Sequence, residues 1–223
     1  MSLTVYQLAH SPYCIPVTRA LEALGVPHTV RNVSNGDRTE ILKLTGGAYY
    51  QVPVLEHNGK VIFESAPDSL DIARYIDATF AAGRLFPDEH EGIQRIVLAN
   101  IENELEGATF RLVDPCVVAG ISDPAERGMV RRHKERKFGP GCLESWSTQR
   151  DSILRNAVAL LEPYALALRH RPYLFGATPV YADFALFGIL GNMTYGGHHA
   201  LPASLPALNA WHVRMTSFRF PAA

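Results

Sequence analysis

The chain has 223 residues, 47% of them hydrophobic and 19% charged, with a formal net charge of −1. Such a composition suits a globular protein able to bury a core, and the near-neutral charge leaves no electrostatic footprint for nucleic acid. No window approaches an uncharged membrane span and Met1 to Val5 has neither a basic nor a long apolar region, so the expected location is the cytoplasm.

Leu3 to Leu8 reads as a buried strand, whereas Val17, Ala20, Leu21 and Leu24 follow helical spacing. The period changes across a polar turn from Ser11 to Pro16. Pro16 suits a first helical turn, where the amide it lacks would have no acceptor, and Gly25 with Pro27 marks the end. A helix starting here turns the positive end of its dipole toward Ser11, Tyr13 and Cys14 and favours a bound anion such as a thiolate. Cys14, Cys116 and Cys142 are odd in number and widely spaced, which argues against a disulfide framework or paired zinc ligands and points to a reducing compartment.

His28 to Val33 supplies a second strand and completes a βαβ unit. Ser34 to Gly47 is polar, with a short helix at Thr39 to Leu44. Gln51 to Glu56 and Lys60 to Glu64 flank Asn58-Gly59, a type I′ hairpin signal. A helix over Asp68 to Phe80 and a linker from Gly83 to Glu91 follow, giving the order βαβαββα. Beyond it Ile93, Ile96, Val97, Ile101 and Leu105, and later Ile153, Leu154, Ala157, Val158 and Leu161, repeat at helical spacing, so the remainder is expected to be all helical. Pro163 is expected to kink or divide one of these helices. The basic run Arg131 to Lys137, interrupted by Glu135, reads as a solvated helix face, and His198-His199 as a loop; no metal site is expected.

Four pieces in this order resemble the glutathione S-transferase superfamily over essentially the whole length. They are Ser11-Pro12-Tyr13-Cys14, Gln51-Val52-Pro53-Val54-Leu55, Asn58-Gly59 through Glu64-Ser65, and Pro172 to Gly176 leading to Tyr181-Ala182-Asp183-Phe184. The resemblance implies an α/β thioredoxin-like glutathione-binding domain over 1–82, a linker over 83–91 and an all-α helical domain over 92–223. It also implies glutathione as co-substrate, a homodimer, and a small aromatic or hydrophobic electrophile, while charge and hydropathy lead to the expectation of no nucleic acid or membrane partner.

Within that resemblance Gln51, Val52 and Pro53 form the glutathione-binding loop, with Pro53 cis and the Val52 backbone bonding the cysteinyl part. Glu64 and Ser65 match the acidic-Ser pair for the γ-glutamyl end. Four extra residues separate them from Ile72-Ala73-Arg74-Tyr75, however, so Asp68-Ser69 offers a second pair, whose simpler reading is a helix cap. Arg38 and Lys43 are the cations nearest the expected place of the glycyl carboxylate. Phe110, Arg111, Val113 and Asp114 are expected to face the electrophile.

Ser11 stands where similar oxidoreductases have a nucleophilic cysteine and zeta-like transferases a serine. The thiolate is the nucleophile, and each unit of thiol pKa lowering needs about 1.4 kcal/mol. A hydroxyl hydrogen bond to a charged acceptor, roughly 1.5 to 3 kcal/mol, plus a helix N-terminus worth about 0.3 to 1 kcal/mol, suffices for one to two units. Tyr13 and Tyr6 are rival hydroxyl donors. Cys14 allows the alternative of a thiol oxidoreductase, and a non-enzymatic scaffold is another. Ser-Pro-Tyr with Thr45-Gly46-Gly47 is also similar to bacterial glutathione-dependent ether-cleaving enzymes. Val180 stands where similar proteins place a capping Ser or Thr before Asp183, so Val180→Thr is expected to stabilise the fold.

Overall fold

The computed structural model describes residues 2–66 and 68–221. Met1, Pro67, Ala222 and Ala223 lie outside it, and with them the outer ends of the segments 1–82 and 92–223. The amino-terminal half follows the expected order: β1 (Leu3–Gln7), α1 (Cys14–Ala23), β2 (Thr29–Asn32), α2 (Thr39–Leu44), β3 (Val54–His57), β4 (Lys60–Phe63) and α3 (Asp71–Ile76). The sheet order is β2-β1-β3-β4. β1 and β2 are parallel, with Val5 opposite Val30, and the other pairs are antiparallel, with Val5 opposite Leu55 and Leu55 opposite Ile62.

Alternation along the strands sends Val5, Leu55 and Ile62 to one face, where Val17, Leu21, Ile72 and Ile76 of α1 and α3 cover them. Tyr6 and Val54 point to the other face and meet Ile41 of α2. Asn58 and Gly59, at φ 49° and 84°, make the tight turn of the β3–β4 hairpin.

The helix expected over Asp68 to Phe80 is shorter. Ser69 has φ 49°, a left-handed conformation that an α-helix cannot contain, so α3 starts at Asp71 and passes at Asp77–Ala81 into one wide π-helical turn. The connection that follows is pinned rather than loose. The Leu85 amide donates to Asp77 Oδ1 at 2.9 Å, and the Leu85 carbonyl accepts from the Tyr181 amide at 2.9 Å and Gln94 Nε2 at 3.3 Å.

The second half is helical: α4 (Glu91–Asn100), a wide turn at Ile101–Leu105, α5 (Glu106–Gly120), α6 (Pro124–Phe138), α7 (Cys142–Thr148), α8 (Arg150–Ala167), α9 (Tyr181–Met193) and α10 (Pro206–Ser217). Contrary to expectation, Pro163 does not divide α8, which runs through it. Leu161, Tyr164, Ala165 and Leu168 are buried on both sides of the proline and hold the two halves on one core. Among the described residues no helix is long and apolar enough to cross a membrane.

α9 is buried along nearly its whole length and packs across α1. A side-chain carbon at Gly188 would lie 2.3 Å from the Pro12 carbonyl oxygen and 2.5 Å from Pro16 Cγ, so only glycine permits this approach. Asn192, one turn on, donates from Nδ2 to the His10 carbonyl at 2.6 Å.

At the start of α9 the buried Asp183 carboxylate accepts from the amides of Leu174 at 2.9 Å and Val180 at 3.1 Å and from Trp211 Nε1 at 2.9 Å. Val180 has no side-chain acceptor, so half of the capping box is missing and the Asp183 amide bonds only the Val180 carbonyl, at 2.9 Å. Val180→Thr keeps the shape and supplies the acceptor. Thermal unfolding is expected to show a melting temperature higher by roughly 2 °C or more, whereas an unchanged or lower value would remove this assignment.

Candidate functional site

A cleft of about 470 Å³ opens where the β1–α1 turn, the loop before β3 and helices α5 and α6 converge. Its lining includes Ser11, Tyr13, Arg38, Gln51 and Val52. Five of the residues singled out in the sequence thus share one wall system, although they come from three separate segments.

Ser11 is buried and heads α1: its carbonyl accepts from the amides of Cys14 and Ile15, both at 3.1 Å, and its Oγ accepts from the Tyr13 amide at 3.3 Å. The hydroxyl stands at the positive end of the helix, beside the buried Cys14 sulfur to which it can donate. Tyr13 also faces the cleft, where loss of solvation and the carboxylates of Glu106 and Glu102 push its hydroxyl well above the ordinary range. It can donate a hydrogen bond but not act as a base. Cys14 lies behind the wall, fully buried, and burial pushes its thiol up to about 11, with the Ser11 hydroxyl and a Leu8 backbone group offsetting this only in part.

Opposite Ser11 the Val52–Pro53 peptide is cis. Among the described residues no group pairs with the Val52 amide or carbonyl, and Pro53 is buried behind them. Arg38 precedes α2, and its Nη1 is buried without a partner among the described residues. Lys43 and Tyr6 do not reach the cleft. They line a separate depression on the outer side of α2, where Tyr6 donates to Glu56 Oε2 at 2.9 Å.

Glu64 and Ser65 are engaged with α3 instead of lining this cleft. Glu64 accepts from the amides of Asp71 at 2.7 Å and Ile72 at 3.4 Å and so caps the helix. In return Asp71 Oδ2 accepts from the Ser65 amide at 2.5 Å, the Ser65 hydroxyl at 2.8 Å and the Ala66 amide at 2.8 Å. Three donors thus converge on one carboxylate, an anion site filled from within the chain. Burial pushes the Glu64 carboxyl up to about 7, with Asp71 and Asp68 adding to the rise and the two amides opposing it. Asp68 faces away and pairs with Arg95 at 3.3 Å.

Of the four residues expected to face the electrophile, Phe110 and Asp114 line the cleft. Arg111 and Val113 do not: on a helix they point elsewhere, Arg111 to solvent and Val113 into the core. The run Arg131 to Lys137 is largely solvated, as expected, and its helix also borders the cleft, which His133, Lys134 and Arg136 line. Helix α6 buries no residue of its own, so its sequence carries no amphipathic signal from which that orientation could be read. His10 was likewise missed, although its place one residue before Ser11 was a signal. His199 is buried in its loop and pairs through Nε2 with the Leu112 carbonyl at 3.0 Å, and the described residues contain no cluster of three or more metal-ligating side chains.

A four-stranded mixed sheet with a cis-proline loop facing the start of its first helix, backed by a helical second half, defines a thioredoxin-like protein with an appended all-α domain. The comparisons narrow this class. Residues 5–84 match the family description "Glutathione S-transferase, N-terminal domain" and residues 144–214 match "Glutathione S-transferase, C-terminal domain". The chain belongs to the glutathione S-transferase superfamily and is a glutathione S-transferase. It is 27% identical over 221 residues to "Probable glutathione S-transferase GSTU6" of Oryza sativa subsp. japonica, covering 92% of this chain and 80% of the relative. Among solved structures, glutathione transferase GSTFuA3 of Phanerochaete chrysosporium superposes with a TM-score of 0.81 at 17% identity, covering 100% of this chain and 99% of that one. A glutathione S-transferase of Ceriporiopsis subvermispora, crystallised with glutathione, superposes at 0.79 with 21% identity, each chain covered completely.

Because the Cys14 thiol is both buried and raised, it should resist iodoacetamide in the native protein and react only on denaturation. Mass-spectrometric labelling checks this, and native Cys14 alkylated as fast as the denatured thiol would contradict the burial.

Proposed function

We propose that this glutathione transferase activates the thiol of glutathione through Ser11 for attack on a small aromatic or hydrophobic electrophile, by conjugation or ether cleavage. Glutathione is the co-substrate, as in the complex of the related Ceriporiopsis protein. One observation carries the reading: the Ser11 hydroxyl at the head of α1 lines one cleft with the unpaired Val52 backbone. The sulfur lies between them, accepts from the Ser11 hydroxyl and is stabilised as the thiolate by the helix end. The glycyl carboxylate meets the unpartnered Arg38 Nη1. The γ-glutamyl end meets Glu64 and Ser65, displacing Asp71 from the Ser65 and Ala66 donors. A thiol-reducing role for Cys14 has its raised, buried sulfur against it. The exposed Ile93 and Ile96, in a groove between α4 and α8, support the homodimer.

Ser11→Ala should raise the pKa of the bound thiol by about one unit or more and slow transfer at neutral pH roughly tenfold or more, with S-methylglutathione binding nearly unchanged. Thiolate absorbance titrated against pH, with steady-state rates, reads both effects. Equal thiol pKa and equal rate in variant and parent would take Ser11 out of the mechanism.

Glu64 gives the pH dependence of binding. Its carboxyl titrates near 7 in the free protein, raised from the ordinary 4.5. An ammonium beside it favours the carboxylate and lowers that value, so binding releases a proton when the pH is below about 7. Affinity for S-methylglutathione, which has no thiol to ionise, should therefore weaken as the pH falls below 7 and level off above it. Calorimetry in buffers of different ionisation enthalpy measures the released proton. Glu102, also raised to about 7 by burial and by Glu64, adds to the slope, and Glu64→Gln should flatten it; an unchanged slope would place the ammonium elsewhere.

A further inference from the structure

The loop of residues 34–38 joins β2 to α2 and brings Arg38 to the cleft. Its own bonds are local. Ser34 Oγ accepts from the amides of Gly36 at 2.9 Å and Asp37 at 3.1 Å, and Asp37 Oδ1 accepts from the Thr39 amide at 2.8 Å. The six residues of α2 are too few to form a stable helix unaided, and Arg38 at its head makes no side-chain cap. A second hold comes from the helical half of the chain. Glu126 Oε1, on the first turn of α6, accepts from the Ser34 hydroxyl at 3.0 Å and from the Gly36 amide at 3.1 Å. A charged acceptor makes both bonds stronger than the loop's own bonds to the Ser34 hydroxyl. The contact is close: a side-chain carbon at Gly36 would lie 2.7 Å from Met129 Cε and 3.2 Å from Glu126 Cγ.

Local preference would send Glu126 elsewhere. Its amide donates to Oδ1 of the capping Asp123 at 2.7 Å, and an acid at this third helical position ordinarily reaches back to the capping residue's own amide. The carboxylate instead crosses to the sheet domain, at Gly36, two residues before Arg38. Arg38 Nη1 is buried without a partner among the described residues, and Glu126 is near enough to act on the guanidinium through space. A guanidinium meets a carboxylate through a planar fork, so its aim counts as well as its charge. Resting on the assignment of the glycyl carboxylate to Arg38, we propose that Glu126 is a positioning residue: from the helical domain it holds the 34–38 loop so that Arg38 is aimed at the glycyl carboxylate of glutathione. The two halves of the chain thus build one end of the glutathione site together.

Charge and position make opposite predictions. A carboxylate near a site for an anion repels it, so on charge alone removing Glu126 should tighten binding of a ligand carboxylate, whereas loss of aim should loosen it. The full chain is titrated by calorimetry with S-methylglutathione and with its C-terminal amide, which lacks the glycyl charge. The parent should prefer the acid by roughly tenfold, and Arg38→Met should erase that preference. Glu126→Ala should cut the preference to about a third or less by weakening the acid alone, and should change nothing further where Arg38→Met is already present. Glu126→Gln, which keeps an acceptor and drops the charge, should restore the preference to the parent's level or above. Ser34→Ala breaks the same tie from the loop side and should act in the same direction, so a poorly folded Glu126→Ala leaves the test intact; circular dichroism checks each variant. A preference unchanged or increased in both Glu126→Ala and Ser34→Ala overturns the proposal while Arg38 keeps its role. Equal weakening of acid and amide marks Glu126 as a structural tie only and also overturns it. If the parent shows no preference, or Arg38→Met retains it, the glycyl assignment falls and the proposal falls with it.

Discussion

The close approach of α9 to α1 at Gly188 is the contact on which the rest of the molecule depends. A missing side chain there lets the helix lie against the Pro12 carbonyl and the Pro16 ring, and Asn192 then fastens the His10 carbonyl from the same helix face. The residues held are those immediately before and after Ser11. Interiors are packed too tightly for such a contact to relax freely, so the helical half sets the position of the Ser11 turn. The same helix is anchored at its other end by Asp183, whose carboxylate gathers donors from Leu174, Val180 and Trp211.

Charge in the molecule gathers at two places, the start of α3 and the cleft at Ser11. At the start of α3 burial first, and neighbouring carboxylates second, raise Glu64 and Glu102 to about 7 and leave both able to change charge near neutrality. Asp71 meanwhile fills the donors of Ser65 and Ala66 from within the chain. On the far side of Ser11 the balance is basic, with Arg38, Lys134 and Arg136 lining the cleft against Asp114 and Glu106.

Much of the architecture was legible along the chain. The alternation of β1, the helical period after Ser11, the Asn58-Gly59 turn and the short helix at Thr39–Leu44 all appear where local preference puts them. The departures have local causes of their own. Ser69 in a left-handed conformation shortens α3, and packing on both sides of Pro163 keeps α8 whole where propensity predicts a break. Of the site, Ser11 and Tyr13 were found at a change of period marked by proline, whereas Gln51, Val52 and Arg38 came from the family resemblance. His10, His133, Lys134 and Arg136 were not found, since α6 buries no residue and so its sequence has no apolar stripe to reveal which face turns inward.

The sequence by itself determined the two-part organisation, the strand and helix order and the serine at the head of the first helix, because each depends on residues within a few positions of one another. Only the tertiary structure decided that Cys14 is shut away, that Asp71 sits on the Ser65 donors, that Lys43 points outward while Arg38 points in, and that a basic helix 120 residues after Ser11 closes the cleft. Those outcomes are matters of burial and of distance through space. They are settled by how α5, α6 and α9 pack on the sheet domain, and no local spacing records that.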